Sequence, residues 1–424
     1  MSMPTQDAST APLVIHTNRL LERFLRYVQV GTAADPDAAV YPSTPGQRDL
    51  GRLLCEELRE MSIDAQQDSH ALVWATVPAS CEGDLPGVAL VAHVDTSPEA
   101  PGDGVRPHVI EDYQGGDIEL PGGHTITVQM APELDTLHGH TLITTDGTTL
   151  LGGDDKAGVA IIMELAQTLI ENRHLRHGPV KLLFTCDEEI GRGTDKIDLD
   201  RLDATVAYTV DGGGAGVIDV ETFSGDAAAV RFVGHNIHPA IAKDRMVNAV
   251  RGAAEFVSRL PRQTQTPETT SGREGFIHAH TIRGGVGEAS VDLILRSFDS
   301  GDLRGYADQV RQIADQVAGE APGLKAEVTI KQQYRNLAEG LRKLPESVSL
   351  AKQAFENLGR PCEEEIIRGG TDGSQLTEKG LPTPNLSSGQ HNIHSVGEFA
   401  SLNEMVAATE HLVELLRLWS YKLS

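Results

Sequence analysis

The sequence predicts an α/β protein, a mixed and largely parallel sheet between helices, with a smaller α+β domain inserted into it. Three observations lead there. Short apolar, β-rich runs at 88–92, 180–185 and 206–210 alternate with a helical pattern over about 157–170. From Glu221 the texture changes: AAAVRFVG and ASVDLILRSFD alternate at period two, and Leu303, Tyr306, Val310, Ile313 and Val317 form a helical stripe. The 424 residues also exceed one ordinary folding unit of about 150. Residues 1–220 and 336–424 are therefore expected to form one discontinuous domain around an insertion at 221–335.

The elements follow in order. Leu20, Leu21, Phe24, Leu25 and Val28 recur at helical spacing, as do Leu50, Leu53, Leu54, Leu58 and Met61 after the turn-rich PSTPGQ. The insertion closes on the strand-like AEVTI near Ala326. A helix follows at about 348–358, then the glycine-rich RGGTDG loop, then a last helix with Leu402, Met405, Val406, Leu412, Val413 and Leu416 on its apolar stripe.

Composition narrows the function. Lys and Arg number 36 against 61 Asp and Glu, a net charge of −25 that repels phosphate backbones, so nucleic acid is not an expected partner. The four cysteines, Cys55, Cys81, Cys186 and Cys362, stand far apart without a C-x-x-C pair, which fits a reducing cytoplasm. The opening MSMPTQDASTAPL shows no basic stretch before an apolar core, and no run approaches 18 uncharged apolar residues; membrane association is not expected.

Chemistry-bearing residues recur at strand ends. VALVAHVDT delivers His93 and, two residues on, Asp95, whose carboxylate lies where it can orient a ligating imidazole. LLGGDDKAG sets Asp154 and Asp155 before a helix; one aspartate would serve as a cap, and two after paired glycines also suit a carboxylate shared between cations. VKLLFTCDEEIGRG runs into Asp187, Glu188 and Glu189, whose like charges repel unless a cation or shared proton offsets them. VAYTVDGGG brings Asp211 into glycines, and GQHNIHSVGEF offers His391 and His394. Each group has an ordinary alternative, a satisfied core histidine or a solvated turn. Together His93, Asp154, Glu189, Asp211 and His394 make a thiolate-free N/O set suited to two divalent ions sharing one carboxylate, with Glu188 left as general base.

Over almost its full length the chain resembles the M20 metallopeptidases, and within them the tripeptide-aminopeptidase branch, peptidase T. The HVD, DDKAG and DEE blocks carry the broad likeness; TLITTDGTTLLG and RGGTDG point to the branch. The resemblance implies a zinc-peptidase domain with an inserted lid or dimerisation-type domain. It makes His93, Asp154, Glu189, Asp211 and His394 ligands of two Zn2+, with Asp154 bridging, and places a cis peptide between Asp154 and Asp155. Asp95 would orient His93 and Glu188 would act as base. His238 of the lid would steady the oxyanion, and Arg296 and Arg368 are candidates for gripping the peptide's terminal carboxylate. The implied reaction is release of the N-terminal residue from tripeptides in the cytoplasm. Cobalt or manganese are substitute metals, a homodimer is among the implied assemblies, and a dipeptidase or N-acyl-amino-acid deacylase is the alternative activity. After His394 this chain reads SVGEF in place of a more basic stretch, and Gly153 stands where the branch carries alanine.

Overall fold

A computed structural model describes residues 14–422. The opening stretch 1–13, read above for a leader, lies outside the described residues. In chain order, the elements used below are α1 (Thr17–Val28), α2 (Pro45–Glu60), β1 (Ala65–Gln67), β2 (Val73–Val77), β3 (Val88–His93), β4 (His108–Ile110), β5 (Leu142–Thr144), α3 (Gly153–Glu171), β6 (Val180–Thr185), β7 (Val206–Gly213), β8 (Ser224–Val233), α4 (Ala249–Arg259), β9 (Phe276–Gly284), β10 (Glu288–Ser297), α5 (Ser300–Glu320), β11 (Lys325–Tyr334), α6 (Glu346–Asn357), β12 (Asn385–His391), β13 (Phe399–Ser401) and α7 (Leu402–Trp419).

The chain divides into two compact units, one of Met1–Asp219, Leu344–Glu364 and Leu381–Ser424, the other of Val220–Lys343 and Glu365–Gly380. The sequence reading placed 336–343, which the structure groups with the insertion, and also 365–380 with the flanking domain. The structure groups this stretch, which includes RGGTDG, with the insertion: Phe223 N donates to the Ile367 carbonyl at 3.1 Å and Gln332 Nε2 to Glu378 at 2.6 Å.

The first unit is built on a mixed sheet in the order β1-β2-β6-β3-β7-β12-β13-β5-β4. Its four central strands, β6, β3, β7 and β12, run parallel. The strands added on either side pair antiparallel. Parallel neighbours need long crossovers, and even the shortest between the central strands, from Thr185 to Val206, is long enough. All six residues of β3 are buried, as a strand covered on both faces requires. The helix α3 packs against β3, β7 and β12 and also against α1 and α7. Its Glu164, fully buried, receives Arg19 and Arg23 of α1 at 2.7 Å each, so the charge is paired where water is excluded.

The second unit is a four-stranded antiparallel sheet, β9-β10-β8-β11. On β8, Ala228, Val230 and Phe232 are buried while Ala229 and Arg231 are exposed, the period-two pattern legible in AAAVRFV. The buried face meets Ala249, Ala253 and Phe256 of α4 and Leu303, Val310, Ile313 and Val317 of α5, forming a core of its own.

Candidate metal centre

The strand order places the carboxyl ends of β3, β6 and β7 side by side, the end of an open α/β sheet where ligands bind. His93 closes β3, Glu188 and Glu189 follow β6 in a short 3-10 turn, and Asp211 lies near the end of β7. Asp154 and Asp155 sit at the start of α3 but are not helical, with ψ of 104° and 35°, and the peptide between them is cis. His394 arrives on the loop after β12, at a positive φ of 60°.

These side chains converge. His93 Nε2 lies 2.9 Å from Asp154 Oδ1 and 3.7 Å from Asp211 Oδ1. His394 Nε2 lies 3.2 Å from Asp154 Oδ2 and 3.0 Å from Glu189 Oε2. Each oxygen of Asp154 thus faces a different imidazole, the disposition expected of a shared ligand. His93 with Asp154 and Glu189, and His93 with Asp155 and Asp211, bring donor atoms within 4.8 Å of one another, and each set could hold a metal ion.

Electrostatics point the same way. Burial pushes the Glu189 carboxyl up to about 7 and raises Asp211 and Asp155. Burial alone would depress His93, but hydrogen bonds to Asp154, Asp211 and Asp95 carry it well above the ordinary histidine range. Asp154 and Glu189 push His394 up to about 11. Four acids against two imidazoles leave buried negative charge uncompensated, and Glu189 Oε1 is buried with no hydrogen-bond partner among the described residues. Hard oxygen donors, two imidazoles and an orphaned carboxylate oxygen fit divalent cations.

Asp95 is fully buried and does more than the i, i+2 spacing indicates. Its two oxygens accept the main-chain N–H of Glu188 and of Glu189, both at 3.1 Å, while Oδ1 lies 3.5 Å from His93 Nδ1. The nearer partner of that nitrogen is the Asp95 carbonyl, at 3.1 Å. Of the two loop histidines only His394 joins the cluster. His391 Nε2 pairs with Glu404 at 2.6 Å, and its ring stacks on Phe399.

Three supporting side chains escaped the sequence reading, and a fourth, Asp187, stood there only as one of three crowded acids. Glu99 Oε2 meets His394 Nδ1 at 3.0 Å. Gln390 Nε2 donates to Asp211 Oδ1 at 3.1 Å. Asp187, fully buried at φ 60°, accepts Ser43 N at 2.8 Å and Gln47 Nε2 at 2.7 Å, fixing the turn that carries Glu188 and Glu189. Glu398 accepts three main-chain N–H groups from 151–154. None lies in a periodic pattern, and all but Asp187 lie outside an acidic cluster, so only the fold reveals them.

The three predicted substrate-binding residues belong to the second unit. His238 is exposed, and its Nδ1 accepts Ala240 N at 3.2 Å. Arg296 donates to the carbonyls of Leu295 and Asp226 at 3.0 and 3.3 Å and lies over the Tyr334 ring. Arg368 donates to the carbonyls of Gly272 and Glu274 at 2.7 and 2.9 Å and to Thr270 Oγ1 at 2.9 Å, bracing the 270–274 loop.

An α/β unit with histidines and acids gathered at its strand ends, joined to a separate α+β unit, has the build of a metal-binding protein. Residues 122–418 match the peptidase family M20/M25/M40, and the chain belongs to that family. It is an enzyme of the metallo-aminopeptidase class. It is 41% identical over 408 residues to a peptidase T from Geobacillus sp. (strain WCH70), covering 96% of this chain and 99% of that one. A Bacillus subtilis (strain 168) peptidase T is 42% identical over 401 residues, covering 94% and 98%. In fold it is similar to crystal structures of an aminopeptidase PepT from Bacillus cereus (TM-score 0.73, 23% identity, 96% of this chain and 100% of that one) and of a Staphylococcus aureus tripeptidase (TM-score 0.76, 23%, the same coverage). A Bacillus subtilis protein described as a dinuclear metal-binding peptidase of the M20 family shares the fold at TM-score 0.64 and 15% identity, over 95% of this chain and 98% of its own. No helix among the described residues is long and apolar enough to cross a membrane.

Proposed function

We propose that this chain is a two-zinc aminopeptidase that releases the N-terminal residue of tripeptides. The observation that carries the reading is the placement of Asp154 between two imidazoles, one on each oxygen. Asp154 would be the shared ligand, with His93 and Asp211 completing one position and His394 and Glu189 the other. When bound, such ions supply Lewis acidity and lower the pKa of a water toward neutrality. Glu188 takes the proton from the attacking water and returns it to the leaving amine. Its main chain is held by the Asp95 carboxylate, which fixes the base relative to His93. In the second unit, read as the lid domain, His238 would steady the oxyanion. Arg296 would bind the peptide's terminal carboxylate, and so would Arg368 once it leaves the carbonyls it now holds.

Replacing Glu188 by alanine tests the assignment. The variant is expected to retain zinc, measured by elemental analysis, and to lose tripeptide turnover by roughly three or more orders of magnitude. Full turnover in the variant would refute the base. A panel of di- and tripeptides and N-acylated amino acids tests the substrate class, and preference for blocked substrates would turn the reading to a deacylase.

A further inference from the structure

We propose that Glu398 is a positioning residue for Asp154, locking the turn that aims this carboxylate at the metal centre. The proposal rests on the reading of Asp154 as a metal ligand. Glu398 is 1% exposed and reaches across 244 residues of sequence. Its Oε2 accepts the N–H groups of Leu151 and Gly152 at 2.8 and 2.9 Å, and its Oε1 accepts that of Asp154 at 3.0 Å. These donors have no helical partners, because Gly152, at φ 81°, precedes α3 and Asp154 and Asp155 depart from helical geometry within its first turn.

The same loop contacts Asp154 twice. His394 meets its Oδ2 at 3.2 Å, and four residues on Glu398 holds its main-chain nitrogen. The loop is braced internally: Asn392 Nδ2 donates to the Gly397 carbonyl at 2.8 Å, and Ser395 Oγ donates to the Asn392 carbonyl at 2.8 Å. These bonds tie the imidazole and the clamp into one braced loop. The approach is close: a Cβ at Gly153 would stand 3.1 Å from Glu398 Oε1. A cap that only stabilised α3 would act on folding alone. A clamp on the ligand's own peptide unit also sets where the ligand's carboxylate points, and removing such support weakens metal binding by roughly 10–100-fold.

The test measures zinc affinity of the metal-free full chain by competition with a chromogenic chelator, well below the thermal midpoint of each variant. In Glu398→Gln the oxygen facing Leu151 and Gly152 is kept, and an amide N–H2 faces the Asp154 N–H. The expected result is a roughly 10-fold or greater loss of zinc affinity, with kcat restored by excess zinc and KM unchanged. Glu398→Asp keeps the charge and draws it back by one methylene, and is expected to weaken zinc by a few-fold; it keeps the test open if the glutamine variant folds poorly. Zinc affinity within twofold of wild type in both variants, whatever their thermal midpoints, overturns the proposal. Asp154→Asn separates the two readings: if it binds zinc as tightly as wild type, the ligand assignment falls and the clamp with it. If it loses zinc while the two Glu398 variants do not, only the clamp falls.

Discussion

Asp95 ties three parts of the centre together, so the isosteric Asp95→Asn has a calculable effect. The carboxylate accepts two main-chain N–H groups at 3.1 Å, from Glu188 and Glu189, and stands 3.5 Å from the His93 ring. Asparagine keeps one acceptor oxygen and presents an N–H2 group to the other donor. One charge-assisted bond is lost, worth about 1.5–3 kcal/mol, and a buried N–H is left facing a donor. Because that N–H belongs to the turn carrying the proposed base and a proposed ligand, the cost falls on geometry as well as stability. We expect urea unfolding of the metal-free chain to show a loss of about 2 kcal/mol or more. We also expect kcat/KM on a tripeptide at saturating zinc to fall roughly 10–100-fold, mostly in kcat. A variant whose unfolding midpoint and kcat/KM both stay within experimental error of wild type would refute the view that Asp95 couples the β3 end to the acidic turn.

Two further outcomes follow from the first unit's packing. A Cβ at Gly158 would lie 2.0 Å from the Val210 carbonyl oxygen and 2.4 Å from Asp155 Oδ1, so Gly158→Ala must lever α3 off β7 one residue before Asp211. It should cost about 1–3 kcal/mol or more in unfolding experiments, and an unchanged midpoint would show that α3 has slack there. His411, buried in α7 and stacked on Phe355, is pushed down to about 4; burial and Arg360 lower it, outweighing the Ala351 carbonyl and Glu414. Because its folded pKa lies below the unfolded value of about 6.5, the unfolded chain takes up a proton first. This contribution to stability is therefore present above pH 6.5 and is lost as pH falls to 4, by about 3 kcal/mol at most. His411→Gln should flatten that limb of the stability–pH curve, and an identical limb in the variant would remove His411 from the account.

Legibility in the sequence tracked the physical signal each segment carries. β3, β6 and β7 announce themselves because parallel strands covered on both faces are continuous apolar runs, and α1 and α5 because one face of each is apolar. β12 gave no such signal. NLSSGQH is buried at all seven positions yet polar, with Asn385 Nδ2 bonded to Asp219 and Ser388 Oγ to the Gly212 carbonyl, so pairing rather than hydrophobicity makes it a strand. The α4 stripe of Ala249, Gly252, Ala253 and Phe256 is nearly as quiet, since small residues carry little apolar area. At the centre, acids at strand ends were readable because crowded like charge is costly without a counter-ion.

By itself, then, the sequence determined which residue types reach the carboxyl end of the sheet, through continuous apolar runs that end in acids or a histidine. It also determined membership of the family, through motifs that lie local in the chain. Tertiary structure supplied the physical reason that His394, the histidine of HNIH chosen from the sequence, faces Asp154: the turn through Asn392 and His394, both at positive φ, sends His391 to Glu404 and His394 to the acids. It also decided that Asp95, Asp187 and Glu398 serve as main-chain clamps, for their partners lie 93, 144 and 247 residues away. Hydrogen bonds of that reach leave no periodicity behind. They exist only once burial has stripped water from both ends and left each donor a single acceptor to find.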